Sequence, residues 1–373
     1  MTWTTWTEWA ATEAAGLRTA GRWRTIRTLD GRGPAFTLDG RPVVSFASND
    51  YLGLSQHPAV VADAHQALER YGTGAGSARL IVGGRPVHAE LEDDLAAWKG
   101  QQRALLFPTG FAANLGVLSV LGGPDVTICS DELNHASIID GCRLSRATVE
   151  IYRHRDLDHL AVLLARATRA LVVTDTVFSM DGDVADLDLL AELCAAHGAM
   201  LVLDEAHAVL GPEAPASSEM VRVGTLSKTL GALGGFVAGP AALIELILNR
   251  ARPFIFTTAS TPADTAAART ALGVLRSPEG EVLVARLRAH VARVRAGHPS
   301  PIVPVVLGEE QRALDAAEAL LEVGLLVPAI RPPTVPAGTS RLRITLSAAH
   351  TDAHIDRLLA GLNTLGAFDA LDA

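Results

Sequence analysis

From Ala104 onward, short unbroken apolar runs alternate with stretches in which apolar residues return every three or four positions. Ala104–Phe107, Val126–Cys129, Ala170–Thr174 and Ala199–Leu203 are of the first kind and predict strands. Ala112–Leu121, Ala136–Ser145 and Leu187–Ala196 are of the second kind and predict helices. A strand such as Met200-Leu201-Val202-Leu203 has no polar face, so it must be covered on both sides, as in a largely parallel sheet between helical layers. The expected class is therefore α/β, with a mixed, mostly parallel central sheet. Ligands of such sheets gather at the carboxyl ends of the strands.

The flanks read differently. Residues 1–45 form an expected N-terminal arm: a helical stretch over Glu8–Arg18, four arginines (Arg18, Arg22, Arg24, Arg27), then turn chemistry at Asp30-Gly31-Arg32-Gly33-Pro34. Residues 46–260 hold the alternating α/β pattern. In residues 261–373 one long alanine- and arginine-rich helix is expected from Pro262 to Ala296. A strand over Ile302–Leu307, a helix over Glu310–Val323 and a strand over Arg341–Leu346 follow, which together read as a smaller C-terminal α+β domain. No internal repeat or low-complexity tract interrupts the chain.

Composition narrows the function. Thirty-two basic against 41 acidic residues give a net charge of −9, with no lysine or arginine block, so no nucleic-acid partner is expected. Cys129, Cys142 and Cys194 are odd in number and lack a CxxC spacing, which argues for a reducing compartment and against a disulfide frame or a metal site. No apolar run is long enough to span a bilayer, and Met1–Trp9 lacks a basic start followed by an apolar stretch. A cytoplasmic location with no membrane partner is expected.

The chemistry concentrates after two strand ends. Val223-Gly224-Thr225-Leu226-Ser227-Lys228-Thr229-Leu230-Gly231 sets one of only two lysines in a loop of small residues, and Leu203-Asp204-Glu205-Ala206-His207 ends an apolar strand with an acid. A surface lysine and a salt-bridged structural acid are the plain readings of each alone. Together they suit an enzyme that holds an aldehyde cofactor on Lys228 and keeps its ring nitrogen protonated with Asp204, which describes pyridoxal phosphate. Thr225 can offer a hydroxyl to the phosphate, and His207 reaches the same crevice. Thr109-Gly110-Phe111-Ala112 opens a helix behind a strand, where free N–H groups meet an anion, although an ordinary βα connection looks the same. His135 follows another strand end and can lie flat on a pyridine ring. Gly72-Thr73-Gly74-Ala75-Gly76 is no dinucleotide fingerprint, because the preceding Ala64–Tyr71 reads as helix; a flexible active-site loop is expected. Arg341 and Arg343 share a strand face, either as a solvated edge or as a carboxylate clamp.

The ordered set Ser48-Asn49-Asp50-Tyr51-Leu52-Gly53-Leu54, Asn134-His135-Ala136-Ser137, Val177-Phe178-Ser179-Met180-Asp181-Gly182-Asp183, Asp204-Glu205-Ala206-His207, Thr225-Leu226-Ser227-Lys228 and the run from Arg331 to Arg343 resembles the α-oxoamine synthases, pyridoxal-phosphate enzymes of fold type I, over nearly the whole chain. The resemblance implies roles. Lys228 would carry the cofactor covalently, Asp204 would pair with the pyridinium nitrogen, His207 and Ser179 would contact the phenolic oxygen, and His135 would stack on the ring. Gly110, Phe111 and Thr225 would hold the phosphate, with Thr257 or Thr258 reaching in from a second subunit of a homodimer. Arg343 would bind the amino-acid carboxylate, Asn49 would belong to the substrate site, Thr334 would line the acyl side, and Arg24 would meet the acyl substrate. The implied reaction is decarboxylative condensation of L-alanine with a pimeloyl thioester of coenzyme A or an acyl carrier protein. Glycine- or serine-using sister enzymes are the alternative, and a non-catalytic partner subunit is the alternative of another class. Two departures stand out: Ala78, where the family carries Ser or Thr near the amino acid, and Ala208 in place of a common glycine.

Overall fold

A computed structural model describes residues 5–215, 217 and 219–366; the ends of the expected arm and of the C-terminal domain (residues 1–4 and 367–373) lie outside them. The central sheet has seven strands in the order Arg103–Phe107, Gly235–Gly239, Met220–Thr225, Met200–Asp204, Ala170–Asp175, Thr127–Asp131, Thr148–Tyr152. Gly235–Gly239 runs antiparallel to both its neighbours, and every other pair is parallel. The sheet is mixed and mostly parallel, as the unbroken apolar runs require.

Alternation along each strand feeds two cores. Leu201 and Leu203 face one layer, packed with the helices Leu157–Leu164 and Leu187–Ala196, while Val202 faces the other, with Gly110–Leu121, Ala136–Ser145 and Ala241–Arg250. With both faces covered, polar side chains gather at the strand ends. Asp131, Asp175, Asp204 and Thr225 all sit at carboxyl ends, with Asp175 directly beside Asp204 in register.

The C-terminal part has a three-stranded antiparallel sheet, ordered Ile302–Gly308, Ser340–Thr345, Ala329–Ile330. The arm contributes more than a tail. After the helix Trp6–Thr19, its strands Leu29–Arg32, Ala35–Leu38 and Arg41–Ser45 form a meander, and the last pairs in parallel with Leu325–Leu326. The expectation of one helix from Pro262 to Ala296 is corrected. The chain forms Pro262–Leu275 and Pro278–Val294, because Pro278 has no N–H to donate and holds Ser277 extended at φ −96°, ψ 169°. The Gly72–Gly76 run follows the helix Pro58–Tyr71, not a strand. Among the described residues no helix is long and apolar enough to cross a membrane.

Candidate active site

Lys228 lies in the turn between the strands Met220–Thr225 and Gly235–Gly239. The turn is closed by Leu226 N–H donating to Gly234 O at 3.0 Å and by Thr225 Oγ1, which donates to Gly234 O at 3.0 Å and accepts from Ser227 N–H at 3.2 Å. At Gly231, φ is +64° and a Cβ would stand 2.4 Å from Ser55 N, so a side chain is excluded on two counts. This rigidity aims Lys228 Nζ at the sheet edge, 2.9 Å from His207 Nε2. His207 Nδ1 is bonded in turn to the Tyr51 hydroxyl.

Asp204 lies across this edge, buried, with hydrogen bonds to both oxygens: Ala206 N–H donates to Oδ1 at 2.9 Å and Asn114 Nδ2 to Oδ2 at 2.6 Å. Asn114 also donates to Ser137 Oγ at 2.9 Å, which is 2.8 Å from His135 Nδ1. The His135 backbone N–H donates to Asp175 Oδ2 at 2.8 Å. Asp204, Asn114, Ser137, His135 and Asp175 thus form one polar chain, buried except at the exposed His135, and Asn114 Oδ1 within it has no partner among the described residues.

Burial and charge set the protonation states. The carboxyl of Asp175 is pushed well up, first by burial and then by the charge of Asp204. Burial brings the Lys228 amine down, opposed by Asp204 and Asp175. His207 is driven well below its usual range by burial and by the charges of Lys228 and Arg343, so it is neutral at pH 7. His135 is also lowered, chiefly by burial. A buried lysine whose pKa is depressed is an amine that gives up its proton readily, as nucleophile and base chemistry requires.

A third wall holds Arg343. Its Nε donates to Ser179 O at 2.5 Å, Nη1 to Thr345 Oγ1 at 3.0 Å and Nη2 to Asn49 Oδ1 at 3.4 Å, and Tyr51 OH reaches the same Asn49 oxygen at 3.3 Å. The guanidinium is tethered on neutral oxygens, with no carboxylate among these partners, and so keeps its charge available for an incoming anion.

A second anion site opens at the sheet end. Thr109 caps the helix Gly110–Leu121 through Ala112 N–H at 3.1 Å, leaving the first-turn N–H groups of Gly110 and Phe111 outside the helical ladder. Gly110 packs on Thr225, where a Cβ would stand 3.2 Å from the threonine Cβ, and a Cβ at Gly235 would stand 2.4 Å from the Thr109 carbonyl carbon. Phe111 lies edge-on to His135, with centroids 6.4 Å apart. A helix N-terminus, a hydroxyl and side-chain-free backbone form a cradle for phosphate, and Lys228, Asp204 and the unpartnered Asn114 amide oxygen surround the space beside it. These donors and acceptors fit pyridoxal phosphate.

The structure therefore brings together ten of the expected residues: Lys228, Asp204, His207, His135, Ser179, Asn49, Arg343, Gly110, Phe111 and Thr225. Thr334 lines an adjoining cleft of about 430 Å³ whose walls include Asn134 and Met180, the sequence neighbours of His135 and Ser179. Thr257 and Thr258 lie elsewhere, in a small cavity with Arg79, His88 and Pro108, and are not among the hydrogen-bond partners of the cluster. Arg24 is exposed on the irregular segment after the first helix and joins none of these contacts.

The sequence alone assigns no role to Tyr51, Asn114, Ser137 and Asp175, although Asp175 ends an apolar strand just as Asp204 does. Also unassigned was the ion cluster behind the site. Glu205, one residue beyond Asp204, binds Lys99 Nζ at 2.8 Å and Arg222 Nε at 2.6 Å, with all three side chains nearly sequestered from water.

The profile of the aminotransferase class I and II family matches residues 41–362. The chain is 51% identical over 376 residues to 8-amino-7-oxononanoate synthase of Anaeromyxobacter dehalogenans (strain 2CP-1), covering 95% of this chain and 94% of that one. Serine palmitoyltransferase from S. paucimobilis with bound PLP–myriocin aldimine superposes with a TM-score of 0.90 at 30% identity, covering 98% of this chain and 100% of that one. An 8-amino-7-oxononanoate synthase from Francisella tularensis superposes at 0.74 and 27% identity, over 87% and 96%. Matched by the family profile across most of its length and by half-identical relatives from end to end, the chain belongs to the aminotransferase class I and II family, within its pyridoxal-phosphate-dependent α-oxoamine synthases.

Proposed function

We propose that the protein catalyses the decarboxylative condensation of L-alanine with a pimeloyl thioester of coenzyme A or an acyl carrier protein. The products are 8-amino-7-oxononanoate, CO₂ and the free thiol, in biotin biosynthesis. The observation that carries this reading is the convergence of the Lys228 amine, the Asp204 carboxylate and the Arg343 guanidinium on one strand-end crevice. The 51% identity to an 8-amino-7-oxononanoate synthase over nearly both full lengths supports it.

Pyridoxal phosphate, when bound, supplies an electron sink for charge developing at the amino-acid Cα. Lys228 would anchor the cofactor's aldehyde, Asp204 would hold a proton on its ring nitrogen, and His135 would cover the ring. His207 and Ser179 would contact the phenolic oxygen, while Gly110, Phe111 and Thr225 would hold the phosphate. Arg343 takes the alanine carboxylate as two parallel hydrogen bonds, with Asn49 beside it. Lys228, its amine set free when the alanine amine takes its place on the aldehyde and brought down by burial, would remove the Cα proton. The acyl chain lies along the Thr334 cleft, where Leu133, Ile139, Phe178, Met180 and Val335 exclude water. Arg24 meets the acyl donor from the arm. The carboxylate is lost as CO₂ once the new carbon–carbon bond has made it β to a ketone.

Two chains build the working unit. Leu80, Ile81, Val82 and Phe256 are exposed apolar side chains on or next to two segments in contact, Arg79–Gly83 and the short helix Arg252–Ile255, which fits burial against a second copy. In that homodimer Thr257 and Thr258 serve the neighbour's phosphate. Three free, buried cysteines fit a cytoplasmic enzyme.

A glycine- or serine-using sister reaction is the second reading: the superposition on serine palmitoyltransferase is closer than that on the 8-amino-7-oxononanoate synthase, and Ala78 in the substrate loop leaves the choice of amino acid less constrained. A non-catalytic subunit has no physical use for Lys228, Asp204 and His207 in contact distance of one crevice. A panel of alanine, glycine and serine against several acyl thioesters, read by product mass, decides. Product from alanine and pimeloyl thioester supports the proposal, and product from serine or glycine alone overturns it.

A further inference from the structure

His154 lies outside the cluster and takes no part in the roles above, yet it spans the two loops that wall the Thr334 cleft. Its Nδ1 is 2.9 Å from Asp131 Oδ1 and its Nε2 is 2.8 Å from Asp183 Oδ2. Its ring stands perpendicular to Phe178, with centroids 4.4 Å apart. Asp131 begins the loop that carries Asn134 and His135, and receives Leu133 N–H on Oδ1 at 2.9 Å. Asp183 ends the loop that carries Ser179 and Met180, which closes on itself through Phe178 N–H to Asp183 O at 3.0 Å. We propose that His154, donating from both ring nitrogens, is a positioning residue that ties these two walls together and so sets the width of the acyl cleft. The inference rests on the reading of that cleft as the acyl site.

Chemistry makes the tie conditional. A neutral imidazole carries a single N–H and can donate to one of the two carboxylates only, so both bonds require the imidazolium. Burial alone would pull His154 down, but its hydrogen bonds to Asp131 and Asp183, and their charges, hold it up at about 9. The other charged groups around it are Glu132, which accepts the His154 backbone N–H at 2.7 Å, Arg155, which donates to Asp183 Oδ2 at 3.1 Å, and His298, whose charge Asp183 also influences. Asp183 Oδ1 is buried without a partner among the described residues, so that carboxylate depends on what His154 and Arg155 give its other oxygen. Above pH 9 one carboxylate faces a lone pair and the walls part.

The test is steady-state kinetics at saturating alanine, with the product identified by mass. In the wild type, KM for the pimeloyl thioester should rise about tenfold between pH 7.5 and 10. His154→Gln, with one neutral donor group, should show that raised KM already at pH 7.5 and no further rise, while its exchange of the alanine α-proton stays within about twofold of wild type. Adding Asp183→Asn to His154→Gln removes the stranded charge and should recover part of the loss. Nitrogen NMR of the wild type should find His154 doubly protonated at pH 7.5. A singly protonated His154, a thioester KM that is flat with pH and unchanged in His154→Gln, or an equal loss of thioester and alanine KM would each overturn the proposal. Absence of the product with wild-type enzyme would instead overturn the reading of the reaction.

Discussion

Replacing Lys99 by Met tests the buried ion cluster behind Asp204. The side chains of Lys99, Glu205 and Arg222 are 9%, 3% and 9% exposed, so each charge depends on the others in place of water. Methionine keeps the length of the stem, but Glu205 Oε2 loses the ammonium 2.8 Å away, while Oε1 keeps Arg222. A stranded carboxylate oxygen costs about 1–3 kcal/mol, and losing the ammonium over the Trp98 ring, 3.6 Å from its centroid, adds about 0.5–1. Lys99→Met should therefore destabilise the fold by about 1.5–4 kcal/mol, read as the shift in urea midpoint at constant m. The pH dependence has a definite sign. Burial alone would raise the Glu205 carboxyl, but the charges of Lys99 and Arg222 lower it below 4.5. Its contribution is therefore present above that pH and fades as pH falls, and Lys99→Met should shrink this acid limb. Adding Glu205→Gln leaves the buried Arg222 guanidinium facing a neutral amide and should cost more, though less than the sum of the two single losses because the two partners share one cluster. A Lys99→Met protein within about 0.5 kcal/mol of wild type, or a double variant worse than the sum of its parts, would refute the reasoning.

Other consequences follow from the same geometry. Asp204→Asn should leave the urea midpoint near wild type, because the Ala206 N–H keeps the amide oxygen and the Asn114 amide, turned over, offers its own oxygen to the new NH2, but should slow alanine α-proton exchange about a hundredfold or more; unchanged exchange would remove Asp204 from the chemistry. His154 is raised from 6.5 to about 9 in the folded chain, so its stabilisation is complete below pH 6.5 and is lost as pH rises through 9. With a fifth of the side chain still exposed, the wild type should lose about 2 kcal/mol more than His154→Gln over that window in denaturant titrations. Mixing a Lys228→Ala chain with one altered at both Thr257 and Thr258 should restore activity through hybrid dimers. A fully active monomer in sedimentation would refute the shared site.

How much of this was legible depended on the range of the interaction. Ala170–Thr174 and Ala199–Leu203 announced a doubly covered sheet because burial on both faces leaves no polar position, and the acid at the end of the second strand stood out for the same reason. Asp175 ended the first strand in the same way but passed unassigned, since its partner, the His135 N–H, lies forty residues back in the chain. Pro278 marked the break between two helices, yet the alanine- and arginine-rich composition on both sides outweighed a single residue. The pairing of Arg41–Ser45 with Leu325–Leu326 rests on a two-residue parallel ladder, too short to leave a pattern. Asp131 ends a strand, and His154 and Asp183 lie in two loops beyond other strands, so only the completed sheet brings the three together. Lys228, by contrast, was conspicuous: in a chain with two lysines, one sits in a loop of small residues beyond a strand, and the other, Lys99, is committed to Glu205.

That scarcity makes the central claim open to one direct measurement. Borohydride reduction of the protein loaded with pyridoxal phosphate, followed by proteolysis and mass mapping, fixes the cofactor to whichever lysine carries it. The label should appear on the peptide containing Lys228 and disappear in Lys228→Ala. A label on Lys99, or one that persists in Lys228→Ala, would contradict the assignment of the strand-end crevice as the active site.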